Sequence, residues 1–383
     1  MSNPDRPTDP STAKSAGAPS SPRTPGSPPN LTAEQNLPPV KPPSAAFLVQ
    51  LFFIPLVIVS IIVSIWLLFS WVAHMSTRPE DLVQDLENLD KKSWQEATTL
   101  AQLLRDPSQE ALRKNSQMAS RLGSILERDL QQNLGSGDQA LAHTDFRIYL
   151  ARAIGSFDVT DGVPALRAAV EHETGREDVD VRRGALQAIS LMAGRLGGEA
   201  MLQADPKLLG AVVEAARSTS DDPAEQTPRG QLRAIAAFAL GILGSADASE
   251  QLALMVGDAF PDARYNAATG LARAGDPRAL PVLLEMLNPE NKAFEAYERE
   301  PEDAASLKFM TDDQREANFQ TRLVWKRNLV LRNGMQAVQL LLKANPAVAE
   351  NPDLAAAVER LAKENLPADL KTELKRVQGA MKR

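Results

Sequence analysis

A short pattern occurs four times along the chain, beginning at Arg147, Arg182, Arg233 and Arg264. The residue before each arginine is Phe146, Val181, Leu232 or Ala263. The third and fourth residues after it are Leu150 and Ala151, Ala185 and Leu186, Ala236 and Ala237, or Ala267 and Ala268. The sixth is small (Ala153, Ala188, Ala239, Gly270), the seventh is Ile154, Ile189, Leu240 or Leu271, and the eighth is Gly155, Ser190, Gly241 or Ala272. Apolar or small residues at offsets 3, 4, 7 and 8 fall on one face of an α-helix. Such a face cannot be buried by its own helix, so each copy needs a neighbour. Recurrence at irregular intervals of roughly 30–50 residues is the mark of stacked helical hairpins. The chain therefore reads as an all-α solenoid, an architecture that serves mainly as a surface for holding other molecules.

Three of the arginines follow an aspartate two residues earlier: Asp145, Asp180 and Asp262. Each aspartate is placed to cap a helix N-terminus. The arginine stem is expected to pack over the next repeat, with its guanidinium reaching a carboxylate there. Before Arg233 the aspartate is replaced by Gln231, so one rung of that ladder is expected to be missing. A second amphipathic helix follows each first helix. In the fourth repeat Gly275 ends the first helix, Pro277 prevents its continuation, and Pro281 opens the next. The corresponding second helices start at Val163 and Pro164, at Pro206 and at Glu250.

These residues resemble the HEAT repeat, in the short bacterial form also found in phycocyanobilin lyases. The likeness rests on Asp-x-Arg at the first-helix start, Ala-Leu-Gly at 239–241 and Gly-Asp-Pro-Arg-Ala-Leu-Pro at 275–281, and it covers 145–287. It implies a HEAT-like solenoid whose second helices line the concave face. It implies no activity, because the matching residues are packing residues.

From Pro42 to Thr77 there is no Asp, Glu, Lys or Arg, and residues 51–73 read LFFIPLVIVSIIVSIWLLFSWVA. As a helix this run reaches about 35 Å, enough for a hydrocarbon core of about 30 Å. Phe52 and Phe53 stand near one end and Trp66 and Trp71 near the other, where rings favour the interface. The run is too long and uniformly apolar for a core helix. It begins too far from Met1, without a small-x-small cleavage site, for a signal peptide. A transmembrane helix is expected over 45–75, in contact with the lipid bilayer through 51–73. Residues 1–43 hold twelve of the 27 prolines and no Phe, Trp or Tyr. They cannot bury enough apolar surface to offset the entropy of ordering, so a disordered tail is expected. Lys41 abuts the span, whereas Arg78, Lys91 and Lys92 beyond it are diluted by Glu80, Asp81, Asp85, Glu87 and Asp90. This places the tail in the cytoplasm and the solenoid outside the plasma (inner) membrane.

The flanks lack the repeat signature. Ser93 to Arg105 and Ser108 to Leu130 read as two amphipathic helices of an N-terminal cap over 79–140, shielding the repeats of 141–288. Residues 289–319 form a densely charged insertion containing Phe294, Tyr297 and Phe309. Helices from Gln320 to Lys343 and from Pro352 to Glu364 then suggest a degenerate final repeat and C-terminal cap within 320–383.

Chemistry is sparse. Beyond residue 78 the chain has 37 Lys and Arg against 46 Asp and Glu, a net charge of −9, which disfavours nucleic acid and anionic lipid as main ligands. The absence of cysteine excludes disulfides, zinc thiolates and cysteine nucleophiles. The only histidines are His74, His143 and His172. Deoxyhypusine hydroxylases, also HEAT-like, hold iron through several His-Glu pairs. Here His172-Glu173 is the only such pair, so no metal is expected. No phosphate loop, nucleophile elbow or HExxH occurs, and no cofactor is expected.

The function these features imply is a membrane-anchored interaction scaffold with a protein or peptide partner. An accessory subunit of a membrane transport or secretion complex and a lyase-like enzyme subunit are the alternatives. Two surfaces compete for the partner: the second helices of the repeats, and the insertion with Phe294, Tyr297 and Phe309 as anchors.

Overall fold

The structure, a computed structural model, describes residues 44–73, 79–87, 93–132, 138–173, 178–298 and 309–382. The tail over 1–43, His74 and the stretch 299–308 of the insertion lie outside the described residues. The chain divides into two units, Met1–Ser76 and Thr77–Arg383.

The first unit contributes one helix, α1 (Ala45–Ala73), with Pro55 inside it. Its stretch Val49–Ser70 has a mean hydropathy of 2.9 and no buried residue, so it is long and apolar enough to cross a membrane. Pro55 stands well inside the helix rather than at its start, a position that membrane helices tolerate.

The second unit is helical, with no strand among the described residues. It opens with α2 (Pro79–Glu87), α3 (Ser93–Arg105), α4 (Glu110–Arg113) and α5 (Ser116–Leu130). The helix expected from Ser108 to Leu130 is broken. Pro107 starts a short 3₁₀ turn, and Asn115 begins α5 by accepting the Met118 N–H at 2.9 Å. Leu82, Val83 and Leu86 of α2 and Leu100 and Leu104 of α3 are buried. The cap packs on the first repeat through α3 against α6 and α5 against α7.

The four repeats pair α6 (Asp138–Ile154) with α7 (Val163–Glu171), α8 (Asp178–Leu196) with α10 (Leu208–Ala216), α11 (Pro223–Leu243) with α12 (Ala246–Met255), and α13 (Pro261–Ala274) with α14 (Leu280–Met286). A short α9 (Gly198–Ala204) intervenes in the second. The third second-helix starts upstream of Glu250 because Ser245 caps it at the Ala248 N–H. Gly244 and Gly275, with φ of 70° and 77°, end α11 and α13 in the left-handed conformation that favours glycine.

The repeated small residues have a direct structural cause. At the first and third junctions, position eight of one repeat meets position six of the next. A methyl group added at Gly155 would lie 2.6 Å from the Ala188 Cβ, and one added at Gly241 would lie 2.7 Å from the Gly270 Cα. Successive first helices are thus close to backbone contact, and larger side chains have no room there. The seventh positions, Ile154, Ile189, Leu240 and Leu271, are fully buried.

Beyond the repeats come α15 (Glu295–Glu298), α16 (Asp312–Ala344), α17 (Pro352–Lys363) and α18 (Ala368–Ala380). Helix α16 begins before the expected Gln320, because Thr311 and Gln314 form a capping box. It packs against α13, and one apolar core runs from Leu82 to Val377.

Candidate interaction surface

The repeat arginines share one placement. Arg147 Nη2 donates to the Asp129 carbonyl at 2.6 Å, Arg182 Nε to that of Val170 at 2.8 Å, Arg233 Nη1 to that of Ser218 at 2.9 Å and Arg264 Nη1 to that of Asp258 at 3.2 Å. Each carbonyl lies at or just past the end of the preceding helix, where acceptors lack an intrahelical partner. Every arginine also meets a carboxylate: Asp129, Glu173, Asp258 and Glu285 respectively. The expected carboxylate of the following repeat is met by Arg233, whose Asp258 leads into α13, and by Arg147, which lies 4.0 Å from Asp178 at the start of α8 as well as against Asp129 behind it. It is not met by Arg182, whose Glu173 lies behind, or by Arg264, whose Glu285 belongs to α14 of its own repeat.

The aspartates of the signature behave differently from expectation. Asp145 is exposed in the middle of α6, because that helix begins at Asp138. Asp180 lies within α8 and pairs with Arg183 at 2.8 Å. Asp262 lies inside α13, whose N-cap is Phe260, and it accepts Lys326 Nζ at 2.8 Å. None of the three is an N-cap, since each helix begins upstream of it. The rung expected to be missing is present: Arg233 Nε and Nη2 grip both oxygens of Asp258, at 2.7 and 2.9 Å. Gln231 is irrelevant to it, because the carboxylate comes from the loop before α13.

The start of the insertion belongs to the fourth repeat. Asn291 Nδ2 donates to Tyr265 Oη at 2.7 Å and to the Glu285 carbonyl at 3.2 Å, and Tyr265 Oη donates to Glu285 Oε1 at 2.8 Å. Burial pushes the Tyr265 phenol well above its ordinary pKa. Burial also disfavours the Glu285 carboxylate, but the bonds from Arg264 and Tyr265 outweigh it, and its pKa is lowered. Phe294 is 2% exposed and packs in the core, so it is not a surface anchor. The reason is local: Asn291, bonded to Tyr265, the Glu285 carbonyl and the Ala293 N–H, holds the turn at 288–294 against the fourth repeat. The Tyr297 side chain lies outside the described residues. Phe309 is 92% exposed.

A further pair of exposed apolar residues stands on α16. Trp325 is 65% exposed and Val324 is also exposed, while the preceding Leu323 is buried. Residues 311–318 are exposed throughout, so the first third of α16 presents most of its circumference to solvent. The Lys326–Asp262 pair ties the helix to α13 beside Trp325 and fixes that face. Sequence reasoning passed over it, although Leu323, Val324 and Trp325 carried the signal. Three consecutive apolar residues on a helix cannot all face one core. On the second-helix side, Leu254 of α12 is exposed.

His143 and His172 are gathered at the junction of cap and first repeat. His143 Nδ1 lies 2.8 Å from Asp129 Oδ1, and His172 Nε2 lies 3.4 Å from both Arg147 Nη1 and Asp178 Oδ1. Burial lowers the His172 pKa and outweighs the upward pull of Asp178, while the smaller effects of Arg147 and Asp129 oppose each other. The described residues contain no group of three or more metal-ligating side chains suitably placed.

Residues 224–296 match the family model of HEAT repeats, so the chain carries HEAT repeats in a helical solenoid. A comparison with curated proteins gives no match.

Proposed function

We propose that this HEAT-repeat chain is a membrane-anchored interaction scaffold, held in the plasma (inner) membrane by α1. Its partner is a protein that docks on Phe309, Val324 and Trp325. HEAT repeats imply an interaction scaffold of stacked helices, and the apolar run Val49–Ser70 supports the anchor. The observation that carries the docking face is Trp325, mostly exposed on a helix that Lys326 and Asp262 hold in place. An exposed aromatic on a fixed element suits an interface centre, since little entropy is lost on binding. Lys41 beside the span supports a cytoplasmic tail and repeats on the far side.

The test compares full-length wild type with a Phe309→Ala, Trp325→Ala double variant. Both are solubilised in mild detergent, and captured proteins are identified by mass spectrometry. The variant should lose the main partner while melting within about 1 °C of wild type, since exposed substitutions change stability little. Unchanged capture by a correctly folded variant would refute the docking face.

A further inference from the structure

A cleft lies where the C-terminal ends of α3, α6 and α8 converge. It encloses about 500 Å³ and is lined by Arg105, Arg113 and Arg195 together with Asp158, Leu104 and Leu191. Asp158 binds two of the arginines: Arg113 Nε at 2.9 Å and Arg195 Nε at 3.0 Å. Backbone carbonyls pin the same guanidinium groups, Arg113 Nη1 to Asp106 and Arg195 Nη2 to Gly155 and Phe157. Arg113 Nη2 and Arg195 Nη1 are left outside these bonds. Arg105 is exposed on the last turn of α3, and no carboxylate is paired with it among the described residues.

The charge here runs against the rest of the unit. Three arginines face one aspartate, within a stretch that beyond residue 78 carries a net charge of −9. Of the neighbouring charges, Lys114 pairs with Glu110, and Asp106, whose carboxylate caps the Ser108 N–H, offsets part of the Arg113 charge. The arginines also have an apolar companion, Leu191, which is 55% exposed beside them. Pre-positioned guanidinium groups suit a carboxylate, because the ordering is complete before the ligand arrives.

We propose that this cleft binds an acidic peptide segment in which an Asp or Glu lies next to an apolar side chain. The carboxylate bridges Arg105 and the remaining nitrogens of Arg113 and Arg195, and the apolar side chain covers Leu191. A bare phosphate would leave Leu191 uncovered, which favours a ligand that pairs an acid with an apolar group, as the peptide does. The site is independent of the docking face on α16.

The experiment uses the full chain in nanodiscs and a phage-displayed random heptapeptide library. Wild type should enrich peptides with Asp or Glu beside Leu, Ile or Phe. Arg105→Glu should weaken the best of these at least tenfold, and Leu191→Ser should weaken it several-fold. Trp325→Ala should bind it unchanged, which separates this site from the α16 face. Melting temperatures establish that each variant is folded. Enrichment without acidic residues, or equal binding by Arg105→Glu, would overturn the proposal. So would displacement of the peptide by soluble short-chain phosphatidylglycerol at concentrations where inorganic phosphate has no effect, because the site would then be a lipid headgroup site.

Discussion

Two helical glycines should respond in opposite directions to the same substitution. In an open helix, Gly→Ala gains about 0.5–1 kcal/mol, because alanine loses less backbone freedom on folding. Gly210, in α10, has no atom within 4 Å of the place its methyl group would occupy, so Gly210→Ala should show that gain. Gly241, in α11, faces the Gly270 Cα at 2.7 Å from the corresponding point. Ordinary carbon–carbon contact needs about 3.5–4.0 Å, so α11 and α13 would have to separate by around 1 Å. The obstacle is backbone rather than a flexible side chain. Overpacking of this kind costs about 1–3 kcal/mol, and the strain falls at the upper end because both helices are rigid. After the helical gain is set against it, Gly241→Ala should lose about 1–2 kcal/mol. Urea denaturation of the full chain in detergent, followed by far-UV circular dichroism, reads both variants against wild type. Gly241→Ala as stable as Gly210→Ala would refute close backbone packing as the source of the repeated small residues.

The ion pairs predict unequal costs: Asp258→Ala strands the largely buried Arg233 and should cost about 3 kcal/mol or more, whereas Glu250→Ala, which removes an exposed partner of the exposed Arg278, should leave stability nearly unchanged. Equal losses in thermal melts would contradict the pairing. His172 has a lowered pKa in the folded chain, so below its ordinary value of 6.5 the unfolded chain binds a proton that the folded chain resists. Its contribution is therefore complete above that pH and is lost as pH falls from there through the folded value. The melting temperature of His172→Gln should drop less between pH 7.5 and pH 5.5 than that of wild type, and identical drops would count against a buried neutral imidazole. In the span, Ile61→Arg should raise the apparent insertion free energy of α1 by about 2.5–3.5 kcal/mol, and a change below about 1 kcal/mol in a glycosylation-tag assay would argue against a bilayer-centred position.

The stack was legible because its cause is periodic. Offsets 3, 4 and 7 mark the buried stripe, and offsets 6 and 8 mark the backbone contacts, Gly155 with Ala188 and Gly241 with Gly270. Polar partners were less legible because they depend on loops without a period. Asp258 meets Arg233 from the loop before α13, and Asp129 serves Arg147 from the helix before α6. Burial of Phe294 hinged on a single side chain, Asn291, bonding across to Tyr265. Trp325 was hidden in the helix read from Gln320 to Lys343 as part of a degenerate final repeat. The exposure of its face follows from where α13 begins beside α16, which no single helix encodes.

The central claim joins the anchor to the docking face, and site-specific photo-crosslinking in intact membranes tests both together. A photoreactive amino acid is placed at position 325 or, for comparison, at position 254 on the exposed second-helix side. Position 325 should give a discrete adduct with one second protein, recovered in the carbonate-washed membrane pellet, and position 254 should give little or none. An adduct from position 254 alone, or a chain that leaves the pellet on washing, would contradict the account.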